Sequence, residues 1–173
     1  MQNVLNGAIR LSGLLAVVLL LLMVAVMSIS IIMRQFGGLL SGSEDIATFS
    51  MVGLAFLGLP SVYRAGLHVR VETVITRLSA RAQKWLNITS VAVGIAVCLV
   101  LIYFSAVLVS DSWRYGDTSY GLLPIPLWIP QLPIPVGLVL LALALLDDLV
   151  RLMRDLPASF QTAPTSGEAS HSE

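Results

Sequence analysis

Hydrophobic positions in this chain gather into four long blocks separated by short polar segments. Leu11 to Met33, Ile46 to Tyr63, Trp85 to Ser110 and Leu127 to Leu146 contain no Asp, Glu, Lys or Arg. At a rise of ~1.5 Å per residue, each block reaches across a hydrocarbon core of about 30 Å. Backbone amides inside lipid must find partners within their own segment, so each block predicts a membrane-spanning helix. The segment between the second and third blocks reads differently. Val71, Val74, Ile75, Leu78, Ala82 and Trp85 fall on one face of a helix, opposite Arg70, Thr73, Arg77, Arg81 and Lys84. With Glu72 as the lone acid, this predicts an amphipathic helix over about residues 70–84 in the membrane interface, drawn to anionic headgroups; a solvated loop is the plainer alternative. The fold class is therefore an all-α integral membrane protein of four transmembrane helices plus an interfacial helix. Pro157 ends the helical pattern, and the Ser-, Thr- and Ala-rich residues to Glu173 read as a disordered tail.

Local signals refine the spans. Ser41 and Ser43 precede Glu44 and Asp45, which suits a helix N-terminus capped by a hydroxyl, with acids at the positive dipole end. The same two acids are candidates for a partner contact. Arg34, just past the first span, suits a dipole C-terminus or snorkels to water. Pro60 predicts a kink or early stop in the second span. Gly53, Ala55 and Gly58 permit close helix approach in the second span; in the third, Ser90, Gly94 and Cys98 recur at intervals of four, and so do Ala92 and Ala96. Pro124, Pro126, Pro130, Pro133 and Pro135 exceed what one helical turn absorbs, so the fourth span should begin extended and become regular from about Pro135. Asp147 and Arg151 stand at i, i+4 on its exposed continuation.

Composition and charge then set the compartment and orientation. The chain is 57% hydrophobic and 12% charged, with mean hydropathy +0.89, outside the range of an ordinary water-soluble domain. Its 173 residues leave no room beyond four spans for another folded domain, and its 10 basic and 10 acidic residues carry no nucleic-acid footprint. Arg10, Arg64, Arg70, Arg77, Arg81, Lys84, Arg151 and Arg154 lie on one side of the predicted spans, against Arg34 and Arg114 on the other. The positive-inside rule puts both termini and the basic loop in the cytoplasm. Trp113, Tyr115, Tyr120 and Trp128 then form an outer aromatic belt, with Trp85 and Tyr63 at the inner boundary. The first block is longer than a signal-peptide core and lacks an Ala-x-Ala exit, so it reads as a retained anchor.

Chemistry-bearing residues are sparse. The spans hold no ionisable Asp, Glu, Lys, Arg or His of the kind that marks proton relays and ion pathways. His68 and His171 lie in loop and tail, so no axial pair for haem is visible. Cys98 alone makes neither a disulfide nor a thiolate metal site and reads as a packing residue. No nucleophile–base set stands out, so no enzyme activity and no cofactor are expected. Backbone carbonyls in broken helices still leave sodium binding open. An anchor subunit of a respiratory or redox complex and an autonomous small exporter remain as alternatives.

A motif series adds to this. Arg34, then Glu44 and Asp45, then Phe56, Leu57 and Gly58 are followed by Arg64, Gly66, His68, Val71 and Glu72. Leu123, Pro124, Ile125, Pro126, Leu127, Trp128, Ile129, Pro130 and Gln131 come later. From about Leu11 to Val150 the chain resembles the small membrane subunit of tripartite ATP-independent periplasmic (TRAP) transporters. It departs from the family pattern where Gly42 and Ser43 replace an aromatic and Glu72 replaces Asp. The resemblance implies a scaffold subunit in a bacterial inner membrane, paired with a large permease that holds the solute and sodium sites. A periplasmic solute-binding protein would deliver an organic acid such as a dicarboxylate or another carboxylate. Outward-facing and motif-matched, Arg34, Glu44 and Asp45, with Trp128, are the expected partner contacts, while the spacing of the basic segment between the second and third spans gives Arg64, His68, Arg70, Glu72, Arg77, Arg81, Lys84 and Trp85 expected lipid-interface or assembly roles.

Overall fold

The computed structural model describes residues 2–65, 80–121 and 124–154. It contains helices α1 (Gln2–Gln35), α2 (Ser43–Arg64), α3 (Ala80–Tyr115), α4 (Trp128–Gln131) and α5 (Pro133–Met153), and no strand among the described residues. Four apolar spans result, with the short α4 and the long α5 forming one of them. The 34 residues of α1 extend roughly 51 Å and the 36 of α3 roughly 54 Å, so both outreach the hydrocarbon core. The interfacial helix expected over residues 70–84 lies mostly outside the described residues. Ala80 to Lys84, assigned to it by pattern, instead continue without a break into the third span.

The helices pack in a row, α1 on α2, α2 on α5 and α5 on α3, leaving α1 and α3 at its two ends. Each seam follows a seven-residue repeat. On α1, Ile9, Ser12 and Ala16 are buried and Leu19, Met23, Val26 and Ser30 continue the stripe partly buried. On α2 the matching stripe is Ser43, Ile46, Ser50, Gly53, Leu57 and Pro60. On α3 it is Val91, Ile95, Cys98, Ile102, Ser105, Val109 and Ser112. Alternating steps of 3 and 4 bring one face back every two turns, the geometry of shallow left-handed helix crossings. Leu138, Leu141, Leu145 and Leu152 mark one flank of α5; Gly137 and Ala144 mark another, as the middle position requires. Large side chains such as Leu14, Leu21 and Ile31 on α1 and Tyr103 and Phe104 on α3 stay exposed. In lipid such side chains carry no penalty, so small and hydroxylated residues line the seams instead.

This packing changes the expected use of small residues. Gly53 meets Leu19, Gly58 meets Ala16 and Gly94 meets Leu145, but Ala55, Ser90, Ala92 and Ala96 are exposed. Intervals of four drift off the contact face, whereas intervals of seven return to it. Pro60 does not stop α2, which runs on one further turn to Arg64. Its missing N–H leaves the Phe56 carbonyl without an i+4 donor. Gly137 of α5 lies against that carbonyl, so closely that a β-carbon there would overlap it. The missing helix hydrogen bond and the interhelix contact thus meet at the same carbonyl.

Candidate partner-contact site

At the end of the row holding the α1–α2 turn, glycines set the geometry. Gly37 takes φ 74°, Gly38 N–H donates to Met33 O at 2.9 Å and Gly37 N–H to Arg34 O at 3.2 Å, closing α1 with a Schellman motif. Gly42 follows with φ 80° and caps α2 without any side-chain hydrogen bond. The expected hydroxyl cap is therefore not formed. Ser43 instead points across the seam, its Oγ 3.0 Å from that of Ser30 on α1. Glu44 and Asp45 do occupy the first turn of α2, at the positive end of its dipole.

These turns bring Arg34, Glu44 and Asp45 around one concave pocket of about 510 Å³, together with Ser41 and Tyr120. The α3–α4 connection forms its far wall. Gly116, at φ 67°, lets Asp117 N–H reach Ser112 O at 3.1 Å and ends α3. Ser119 N–H then donates to Ile125 O at 2.8 Å and Leu127 N–H to Asp117 O at 2.9 Å, an extended ladder around the Thr118–Pro126 bridge. Gly121 rests against the Asp45 carboxylate, which would have to swing aside to admit a β-carbon there. The prolines divide accordingly: Pro124 and Pro126 serve the extended part, while the span is helical from Trp128 and regular from Pro133. Trp128 lies outside this pocket, stacked edge-on against Trp113 with ring centroids 4.7 Å apart, so it ties α4 to α3. Tyr120 is fully exposed at the loop tip. Arg34, Arg114, Glu44, Asp45, Asp111 and Asp117 together make this the acidic end.

The opposite, basic end is stitched by polar side chains. The Asp147 carboxylate accepts from Arg64 Nη2 at 3.3 Å and from Arg151 Nε at 3.2 Å. Arg64 Nη1 also donates to Asn6 Oδ1, and Ser61 Oγ donates to Ile9 O at 2.9 Å, so α1, α2 and α5 are joined. Arg64 thus lies inside an interhelix tie. Tyr63, expected in the inner aromatic belt, is buried and donates to Asp148 Oδ2 at 2.8 Å. Asp148 is wholly buried, and Asn87 of α3 is buried as well. Sequence reasoning passed over Asp148 in favour of Asp147. Its place on the α5 stripe, three residues after Leu145, was the available signal. Trp85 is exposed on α3. His68, Arg70, Glu72 and Arg77 lie outside the described residues, and Arg81 and Lys84 are placed only as backbone in the first turns of α3. Among the described residues no group of His, Cys, Asp or Glu gathers as a metal site.

The sequence profile described as tripartite ATP-independent periplasmic transporters, DctQ component, matches residues 23–155. That range takes in α2, α3, α4, α5 and the C-terminal part of α1. The chain is also similar to the isethionate TRAP transporter permease protein DctMQ of Oleidesulfovibrio alaskensis, at 29% identity over 115 residues. The match covers 65% of this chain and 18% of that permease, so the chain spans under a fifth of its relative's length.

Proposed function

The chain belongs to the DctQ component family of TRAP transporters, and from that premise we propose that it is the small scaffold subunit of a sodium-driven carboxylate importer. Members of the family are transporter components, not enzymes, and four apolar helices make this one a multi-pass membrane protein. The profile match over residues 23–155 carries the reading. Two physical features support it. The uncharged stretches of the spans offer a carboxylate or a cation no counter-charge at membrane depth. The open row also leaves α1 and α3 with long apolar faces, which suits a large permease on one side and lipid on the other. In this reading the partner permease holds the solute and sodium sites, and a periplasmic solute-binding protein delivers the solute. The termini and the basic end face the cytoplasm of a bacterial inner membrane.

The test is uptake with and without the subunit. Cells or vesicles holding the large permease and the binding protein should take up solute on a sodium gradient only when this chain is present. Full sodium-driven uptake in its absence sinks the scaffold role.

The same reading assigns the acidic-end residues to the partners and the basic loop to lipid. Arg34→Cys, Glu44→Cys, Asp45→Cys and Trp128→Cys should crosslink to the permease or binding protein. Arg70→Cys, Arg77→Cys and Arg81→Cys should be labelled by a headgroup-level lipid probe, with His68, Glu72 and Lys84 in the same layer. The reverse labelling pattern rejects the assignment.

A further inference from the structure

We propose that the pocket between α1 and α2 at the basic end binds the phosphodiester of an anionic phospholipid, with Arg10 and Arg64 as its cationic walls. The pocket measures about 310 Å³ and is lined by Asn6, Ile9, Arg10, Ser61 and Arg64. Arg10 is exposed and has no ion pair among the described residues. Among the described residues Arg64 has one carboxylate neighbour, Asp147, whose oxygen it shares with Arg151. Its Nε is shut off from solvent and meets no acceptor among the described residues. Across the described basic end, Arg10, Arg64, Arg151 and Arg154 face only Asp147 and Asp148. A guanidinium pair with a surplus of donors suits a phosphate oxygen better than a neutral ligand.

Depth favours a lipid over a soluble phosphate. Arg10 directly precedes the uncharged stretch that begins at Leu11, and Ser61 and Arg64 form the last turn of α2. The pocket therefore sits where apolar surface gives way to polar, the layer of the headgroup phosphates. Leu14, Val17 and Leu21 follow Arg10 at i+4, i+7 and i+11 and are all exposed, so an apolar track descends from the pocket along the same face of α1. A phosphodiester in the pocket with acyl chains on that track meets both chemistries at once.

The inference rests on the proposed orientation, which puts this end at the anionic inner leaflet, but its test does not depend on transport or topology. The full chain is purified in mild detergent, exchanged with phosphatidylglycerol or phosphatidylcholine of identical acyl chains, and read by native mass spectrometry. Phosphatidylglycerol should be retained several-fold more than phosphatidylcholine. Arg10→Gln should remove most of that preference, Arg10→Lys should keep most of it, and Arg114→Gln at the other end should leave it unchanged. Because Arg64→Gln also loosens the helix tie, Arg10 is the deciding position. Displacement by inorganic phosphate, at concentrations where chloride has no effect, would identify the phosphate group as what is held. Equal retention of the two lipids overturns the proposal, as does an unchanged preference in Arg10→Gln. So does inorganic phosphate binding to a chain that keeps no phosphatidylglycerol.

Discussion

Gly137→Leu is expected to break the α2–α5 seam and to be the most damaging single change in the spans. A β-carbon at this position meets the Phe56 carbonyl oxygen and carbon, and then the amide nitrogen of Leu57. These are backbone atoms inside a helix, so no rotamer change clears the overlap. The axes of α2 and α5 must separate, and the gap propagates along the stripe that includes Gly53, near which Pro133 also packs. Overpacking of this kind costs about 1–3 kcal/mol for a methyl and more for an isobutyl group. The freed Phe56 carbonyl makes the contact favourable for glycine, whose Cα–H can approach it as a weak donor. Gly7→Ala is the matched control, because nothing lies within 4 Å of the added β-carbon. That change should be neutral or raise helix stability by up to about 1 kcal/mol. Thermal unfolding in mild detergent, followed by tryptophan fluorescence, measures both. A Gly137→Leu chain that melts with the parent would show that the two backbones are not in contact.

That contact also shows where sequence reasoning reaches and where it stops. The four spans were legible because hydrocarbon thickness imposes a minimum run of uncharged residues, and the runs stand out against Arg34, Arg64, Arg114 and Arg151. The packed faces were not, because in a segment apolar all round the usual contrast of inside and outside vanishes. What marks the inward face here is the reverse signal: Ser12, Ser50, Asn87, Ser105 and Ser112 are buried while most leucines and valines of α1 and α3 are exposed. Reading small residues at intervals of four found Gly94 and Cys98 but missed the step of seven that links Cys98, Ser105 and Ser112. At the acidic end, Arg34, Glu44 and Asp45 were singled out by motif and do gather around one pocket. The Ser caps were misread because Gly42 supplies the left-handed turn and frees Ser43 to bond across the seam. Tyr63 was misread because an aromatic at a span boundary fits a lipid belt equally well. Only the nearby Asp148, more than eighty residues away in sequence, decides that it turns inward.

Asp147→Ala should cost the basic end most of its cohesion. One carboxylate oxygen accepts from both Arg64 and Arg151, so its loss leaves two guanidinium groups near each other without their shared counter-charge. The two partners differ in weight. Arg64 and Asp147 are each only 16% exposed, and Arg64 also reaches Asn6, so this pair fastens α1, α2 and α5 together. Arg151 is one helical turn from Asp147 and somewhat more exposed, so it contributes as a surface pair would. Breaking a fully buried pair costs about 3–5 kcal/mol and an exposed one about 0–1, which puts Asp147→Ala near 2 kcal/mol in this half-shielded setting. Arg151→Gln should cost about 0.5 kcal/mol or less and lose even that in high salt. A double-mutant cycle on Arg64→Gln and Asp147→Asn, read from detergent unfolding, should therefore return a coupling of at least about 1 kcal/mol that salt hardly changes. A coupling that vanishes with added salt would mean that water, and not packed helix, surrounds the pair. The tie would then be unable to hold the first turns of α1 against α2, and the charge separation between the two ends would carry the orientation of the helices alone.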